Sequence, residues 1–176
     1  MRAALDPNVI ISGLLSRTGA PAQVLRAFDR GDFEVVISEA LLRELTRALT
    51  YPKLRRYIDK GEATAVRRWL SESAVSGSDP AAPHSVRSPD PGDDYLIALA
   101  SSQRAALVSG DRHLLDLADQ IPVFSPRDFL QLLESSRERS PTWPDVCQNP
   151  WSATAIERRR SIAATGVTAM DPERGP

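Results

Sequence analysis

RAALDPNVIISGLL, residues 2–15, opens the chain with two apolar segments separated by an acid and a proline. The first segment, Arg2–Leu5, is typical of a buried strand that stops at Asp6. Apolar residues resume over 9–15, where Gly13 interrupts them. We therefore expect a strand that runs through a loop into a helix, which is the beginning of a β-α unit.

Short apolar or β-branched runs alternate with leucine-rich segments along the rest of the chain. Further strands are predicted at 33–37, 106–109 and 121–124. Helices are predicted after Pro21, after Ser38 until Pro52, over Glu62–Val75, from Asp93, around Leu114–Leu117 and after Ser125. The Pro-rich segment Ser76–Gly92 is predicted to be a loop, with one short strand expected at His84–Arg87.

Alternating strands and helices predict the α/β class, here a three-layer α/β/α sandwich around a mainly parallel sheet. Sites in such folds lie beyond the carboxyl ends of the strands. We expect one domain over residues 1–139, because 176 residues are ample for one core. Residues 140–176 lack sustained periodicity and are expected to be a disordered tail. Trp143 and Trp151 leave open a tail that docks onto the domain or onto a partner.

Composition and charge exclude several classes of protein. Apolar residues make up 41% of the chain and charged residues 26%, as in ordinary globular proteins. The net charge of −1 does not indicate a generally basic nucleic-acid-binding domain. A single cysteine excludes an internal disulfide and a cysteine-rich zinc site. The sequence shows neither a membrane-spanning run nor a signal peptide, so we expect no membrane association and a cytoplasmic location.

Acidic residues follow two of the predicted strands and begin or line two of the helices. Asp6 and Asp111 each stand directly after a strand, where α/β folds build their sites. Glu44 lies beside the leucine stripe of its helix, and Asp93 and Asp94 open the next helix. Each acid also has a structural explanation. Turn or N-cap roles would account for the strand-end acids, a solvated helix face for Glu44, and helix capping for one acid of the Asp93-Asp94 pair.

Convergence of these acids would require a positive charge at their centre, because clustered carboxylates repel each other and lose hydration. Oxygen ligands without His or Cys favour Mg²⁺ or Mn²⁺ over zinc. Mg²⁺ commonly binds substrate phosphate oxygens as well as protein carboxylates, so the chemistry indicated is phosphodiester hydrolysis.

Five motifs occur in order along the chain: LDPNVIISGLL, ISEALLREL, DPGDDYLIALA, ALVSGDRHLL and VFSPRDFL. In order and spacing they resemble the PIN domain of bacterial toxin-antitoxin nucleases, the VapC-like ribonucleases, over roughly residues 1–135. The resemblance implies a catalytic metal site for Mg²⁺, with Mn²⁺ as a substitute, formed by Asp6, Glu44, Asp93 and Asp111.

The positions next to these acids both match and depart from the family pattern. Asp93 rather than Asp94 has the family's spacing within its motif, and Asp94 becomes a candidate for support of the site. Asn8 and Ser109 match positions that assist the metal ligands. Pro7 stands where the family commonly has threonine, which puts in doubt the support of the first ligand.

The resemblance implies an endoribonuclease that hydrolyses single-stranded or looped RNA. It further implies a toxin that a cognate antitoxin protein inhibits and that forms a homodimer. A housekeeping RNA-processing nuclease and a noncatalytic RNA- or protein-binding module remain alternatives. The sequence lacks the G-x-G-x-x-G and G-x-x-x-x-G-K-[ST] motifs, which disfavours dinucleotide-binding and ATP-driven enzymes.

Overall fold

A five-stranded parallel sheet lies at the centre of the computed structural model, which describes residues 1–80 and 84–138. The strands are β1 (Arg2–Leu5), β2 (Glu34–Ile37), β3 (Val75–Ser76), β4 (Ala106–Val108) and β5 (Val123–Phe124). The helices are α1 (Pro7–Leu15), α2 (Ala20–Asp29), α3 (Glu39–Leu49), α4 (Pro52–Arg55), α5 (Lys60–Ser73), α6 (Asp94–Ser102), α7 (Arg112–Leu115) and α8 (Pro126–Glu138). A 3-10 turn at Pro91–Asp93 leads into α6.

The strand order is β3-β2-β1-β4-β5, and every neighbouring pair is parallel. The chain moves outward from β1 through β2 to β3 and then crosses back to β4 beside β1. Because such crossovers are right-handed, the helices between β1 and β3 cover the face opposite to α6. The predicted three-layer α/β/α class is confirmed. The return of the chain from β3 to β4 reverses the direction in which strands are added and leaves the carboxyl ends of β1 and β4 side by side. Doubly wound folds bind ligands at such a point.

Strand β1 is buried on both faces of the sheet. Ala3, Ala4 and Leu5 are all fully buried, although consecutive strand residues point to opposite faces. Such continuous burial is typical of a central parallel strand with helices on both sides. The residue that follows β1 therefore emerges from the middle of the core.

Aromatic rings connect three helices on one side of the sheet. The rings of Phe28 in α2 and Trp69 in α5 lie 5.1 Å apart, and Phe33 meets Phe129 of α8 edge-on at 4.9 Å. Phe28 and Phe33 are themselves 6.0 Å apart. These contacts pack α8 against the helices that precede β3.

Some element boundaries differ from the sequence prediction. Helix α1 begins at Pro7 without an intervening loop, because a proline at the first helical position needs no hydrogen-bond partner. The helix predicted to reach Val75 ends at Ser73, and Val75 pairs with Val36 as part of β3. Two residues carry too short a pattern for strand prediction. The strand predicted at His84–Arg87 does not form.

Two further differences concern short elements. Pro52 follows the end of α3, as predicted, and also begins the unpredicted helix α4. The last strand is limited to Val123–Phe124. The predicted tail, 140–176, lies outside the described residues, so its disorder, its docking and the domain boundary at residue 139 stay predictions. Within the described ranges, no helix combines the length and apolarity needed to cross a bilayer.

Gly13 lies at a close approach between α1 and α2. A Cβ atom added there would lie 2.6 Å from Leu25 Cδ1 and 2.8 Å from the carbonyl oxygen of Pro21. We expect Gly13→Ala to lower the free energy of unfolding by about 1–3 kcal/mol through overpacking, despite the better helix propensity of alanine. Urea unfolding followed by circular dichroism measures the change. Ser12→Ala, at an exposed position of α1, is the control. A Gly13→Ala variant as stable as this control would contradict the close contact.

Candidate active site

Asp6 is a buried carboxylate at the carboxyl end of β1. It N-caps α1, and its Oδ1 accepts a hydrogen bond of 2.7 Å from the backbone N–H of Asn8. Its Oδ2 accepts one of 2.5 Å from the Ser109 hydroxyl. Only 3% of Asp6 is exposed, so these hydrogen bonds replace much of the lost hydration. The carboxylate is thereby fixed in position at the strand end.

Ser109 connects the ends of β1 and β4. Its fully buried hydroxyl donates to Asp6, and the same oxygen accepts a hydrogen bond of 3.0 Å from the backbone N–H of Asp111. The Asp111 carboxylate N-caps α7 by accepting from the backbone N–H of His113 at 2.7 Å. Asp6 and Asp111 therefore do act as helix caps, and they also lie next to each other at one edge of the sheet.

Asp93 stands at the N-terminus of α6 without capping it through a side-chain hydrogen bond. Burial raises the pKa of its carboxyl from an ordinary 3.8 to about 6, and the charges of Asp6, Asp90 and Asp111 add to this. The nearby His113 acts in the opposite direction. A capping hydrogen bond therefore does not account for Asp93, whose carboxyl lies within electrostatic reach of the two strand-end acids, Asp6 and Asp111.

Asp94 holds the preceding loop. One of its carboxylate oxygens accepts from the backbone N–H of Ser88 at 2.9 Å, and the other pairs with the Arg87 guanidinium at 2.7 Å. Both oxygens thus have partners on the segment that leads to the 3-10 turn. Asp94 supports the position of Asp93 through the backbone, which differs from direct support of a metal ligand.

Glu44 is half-buried on α3 and pairs with Arg47 one helical turn later. Both of its carboxylate oxygens lie 2.8 Å from a guanidinium nitrogen of Arg47. Its charge raises the pKa of the Asp6 carboxyl and of the Tyr95 hydroxyl, so Glu44 lies near Asp6. We call Asp6, Glu44, Asp93 and Asp111 the acidic cluster. Glu44 is the one acid of the cluster with a neighbouring arginine partner in the described part of the chain.

The acids oppose one another's ionisation. Burial raises the pKa of the Asp6 carboxyl, the charges of Asp111 and Glu44 raise it further, and the hydrogen bonds from Ser109 and Asn8 act against this rise. The structure thus brings Asp6 within electrostatic reach of each of the other three predicted acids. Of the predicted supporting residues, Ser109 contributes its hydroxyl, whereas the exposed Asn8 contributes its backbone N–H.

Tyr95 borders the acidic cluster and was missed by the sequence prediction. Burial raises the pKa of its hydroxyl well above the ordinary value, and the charges of Glu44, Asp6 and Asp93 add to the rise. The hydroxyl therefore stays protonated at neutral pH and is available as a hydrogen-bond donor. In the sequence, Tyr95 is indistinguishable from the apolar positions of its own helix, α6.

The cluster suits a hydrated cation better than a closed metal site. In residues 1–80 and 84–138, no three His, Cys, Asp or Glu side chains are arranged to hold a metal ion by themselves. Mg²⁺ typically binds through one or two carboxylates, several waters and a substrate phosphate. Converging oxygen donors from Asp6, Asp93 and Asp111 fit that mode and lack the nitrogen or sulfur that zinc prefers.

Comparison with known proteins finds similarity over most of the described part of the chain. The PIN domain family model matches residues 2–113, from β1 to the start of α7. An uncharacterized protein of Methanocaldococcus jannaschii is 26% identical over 146 residues, which are 76% of this chain and 92% of that protein. A chain of VapBC2 from Rickettsia felis, crystallised with a DNA fragment from its promoter, is 14% identical with a TM-score of 0.47; the match covers 71% of this chain and 98% of that one.

Repulsion within the cluster should make the metal-free protein less stable as pH rises. The carboxyl of Asp93 binds a proton more tightly in the folded chain, with a pKa of about 6, than in the unfolded chain. Unfolded chains therefore lose this proton first, and stability falls between about pH 4 and pH 6. In EDTA at pH 8, Asp93→Asn should raise the free energy of unfolding by about 1 kcal/mol, a value reduced for solvent screening.

The control for this measurement is Asp119→Asn, at an exposed acid outside the cluster. Urea unfolding of both variants and of the original chain, at pH 4.5 and pH 8 (about one unit or more on either side of the folded pKa), separates the effects. If the free energy of unfolding depended equally on pH in all three proteins, repulsion at Asp93 would not be the cause of the lower stability at high pH.

Proposed function

The chain belongs to the PIN domain family, and we propose that it is a cytoplasmic, metal-dependent endoribonuclease that hydrolyses phosphodiester bonds in single-stranded or looped RNA. PIN domains are generally nucleases, so hydrolysis of nucleic acid follows from the family. The observation that supports the finer assignment is the convergence of Asp6, Glu44, Asp93 and Asp111 at the strand-end edge between β1 and β4.

All four acids are proposed to form the Mg²⁺ site, with Mn²⁺ as a substitute; one or two of them would bind the ion directly and the others would act through its bound waters. The bound ion would supply an activated water and offset charge on the scissile phosphate. Asp6 and Asp111 are oriented by backbone and Ser109 hydrogen bonds that do not depend on the ion. Such pre-orientation lowers the cost of organising the site around substrate.

Ser109 also supports Asp6 in place of the hydroxyl that is missing at Pro7. The family's threonine hydroxyl is absent at Pro7, but Oδ2 of Asp6 already accepts a hydrogen bond from the Ser109 hydroxyl. Its Oδ1 is held by the N–H of Asn8, which α1 supplies by beginning directly at Pro7. These contacts support a competent site in this chain.

The five motifs support a more specific role, that of the toxin in a toxin-antitoxin pair. In this role the chain forms a homodimer, and a segment of a cognate antitoxin protein covers or occupies the acidic cluster. A cationic side chain in that segment would offset the clustered negative charge without permitting hydrolysis. A housekeeping RNA-processing nuclease is the alternative, and a neighbouring gene for a small inhibitory protein distinguishes the two.

Cleavage of a mixed single-stranded RNA pool tests the proposed activity. The chain should cut RNA with Mg²⁺ or Mn²⁺ and should not cut it in EDTA. Asp6→Asn should reduce the rate by at least about 100-fold, because it removes a pre-oriented charge from the reacting centre. Asp119→Asn should cut at the original rate. Denaturing gels over a time course measure all three.

Two results would contradict the proposal. Cutting in EDTA would exclude metal dependence, and equal cutting by Asp6→Asn and the original chain would exclude Asp6 from the site. Complete absence of cutting, with folded protein confirmed by circular dichroism, would favour the noncatalytic binding module.

A further inference from the structure

A basic segment surrounds α4 in a chain whose net charge is −1. Residues 43–60 contain six basic and two acidic residues, and they include both lysines of the chain. The basic residues are Arg43, Arg47, Lys53, Arg55, Arg56 and Lys60. Since the excess of positive charge is local, the overall charge conceals it.

Most of these cations keep their charge free for a ligand. Of the six, only Arg47 has an acidic ion-pair partner among the described residues, namely Glu44. The other acid of the segment, Asp59, is occupied as a helix cap: it accepts from the N–H of Glu62 in a capping box. Lys53 and Arg55 therefore present unpaired charge on an exposed helix.

Two tyrosine rings flank α4 and are unusually exposed. Tyr51 is 50% exposed and Tyr57 is 58% exposed. Ile58, by contrast, is buried, and Leu54 packs against the core, so the helix is anchored on its inner side. The guanidinium carbon of Arg56 lies 4.9 Å from the centre of the Tyr57 ring. We call the exposed set of Tyr51, Lys53, Arg55, Arg56 and Tyr57 the α4 surface.

Arg47 links the α4 surface to the acidic cluster. Arg47 pairs with Glu44, and it also interacts electrostatically with Tyr51 and with Tyr95 at the border of the cluster. Tyr51 follows Arg47 by four residues just beyond α3, and its backbone N–H donates to the carbonyl oxygen of Ala48. The α4 surface therefore begins next to the end of the helix that carries Glu44.

We infer that the α4 surface binds single-stranded RNA and leads it to the acidic cluster, an inference that rests on the proposed function. Unpaired cations next to exposed aromatic rings are the combination that holds single strands: phosphates meet the cations and bases stack on the rings. Lys53 and Arg55 contact phosphates, and Tyr51 stacks with a base away from the scissile phosphate. A protein partner on this surface is the competing occupant.

Binding of a fluorescein-labelled oligouridylate of about 12 nucleotides to the full chain in EDTA tests this inference, because no cleavage is needed. Tyr51→Leu should weaken binding by about 10-fold, the typical effect of a lost base stack, and Tyr51→Phe should restore it. Lys53→Ala/Arg55→Ala should reduce the slope of log affinity against log salt by about 1.4, for two lost phosphate contacts. The matched control, Arg68→Ala/Arg127→Ala, removes the same charge elsewhere and should leave the slope unchanged.

Cleavage with Mg²⁺ gives a second readout that a purely structural role would not produce. Tyr51→Leu should raise KM by about 10-fold and leave kcat within about twofold, because Tyr51 binds RNA away from the reacting atoms.

Unchanged oligouridylate affinity in the α4 variants would overturn the inference and leave the nuclease proposal intact. Unchanged affinity with an altered oligomeric state by light scattering would assign the surface to a protein partner. RNA binding that depends on Tyr51 without any cleavage would support the α4 surface and overturn the nuclease proposal.

Discussion

The hydrogen bond from the Ser109 hydroxyl to the buried carboxylate of Asp6 joins the two strands whose ends form the candidate site. It depends on the parallel register of β1 and β4, in which Leu5 is paired with Val108. A carboxylate as buried as Asp6 is tolerated where hydrogen bonds replace water. Ser109 extends the same constraint to the backbone N–H of Asp111. The positions of two acids are thus set by strand pairing in the core, and the remaining acids approach from α3 and α6.

This arrangement has a cost in the metal-free chain. Burial and neighbouring charges raise the pKa of Asp93 to about 6 and that of Asp6 above its ordinary value. Selection for stability alone would remove such repulsion, and strained charge clusters of this kind are typical of functional sites. A divalent cation that binds only the folded chain would offset the repulsion and stabilise the fold. In the proposed metal site, the repulsion that weakens the metal-free protein would favour binding of the ion.

The sequence predicts the strand-end acids well because their signal is local. The apolar runs that end at Leu5 and Val108 locate both strand ends without knowledge of the fold, and Asp6 and Asp111 follow within one and three residues. The choice between Asp93 and Asp94 is different: local sequence leaves it open, and the family spacing favours Asp93. The partners of Asp94 lie six and seven residues earlier in an irregular loop, which carries no periodic signal. The sequence prediction missed Tyr95 because the acids around it, Glu44, Asp6 and Asp93, come from three separate elements. It missed β3 because a strand of two residues shows no alternating pattern.

Isothermal titration calorimetry with Mn²⁺ tests most directly whether the acids form a metal site, because it needs neither substrate nor partner. The account predicts saturable binding to the original chain that is lost in Asp6→Asn and kept in Asp119→Asn. The metal-free folded state of each protein is verified by circular dichroism before titration. Equal Mn²⁺ binding by Asp6→Asn and the original chain, or no binding by the folded original chain, would contradict the assignment of the acidic cluster as a catalytic metal site.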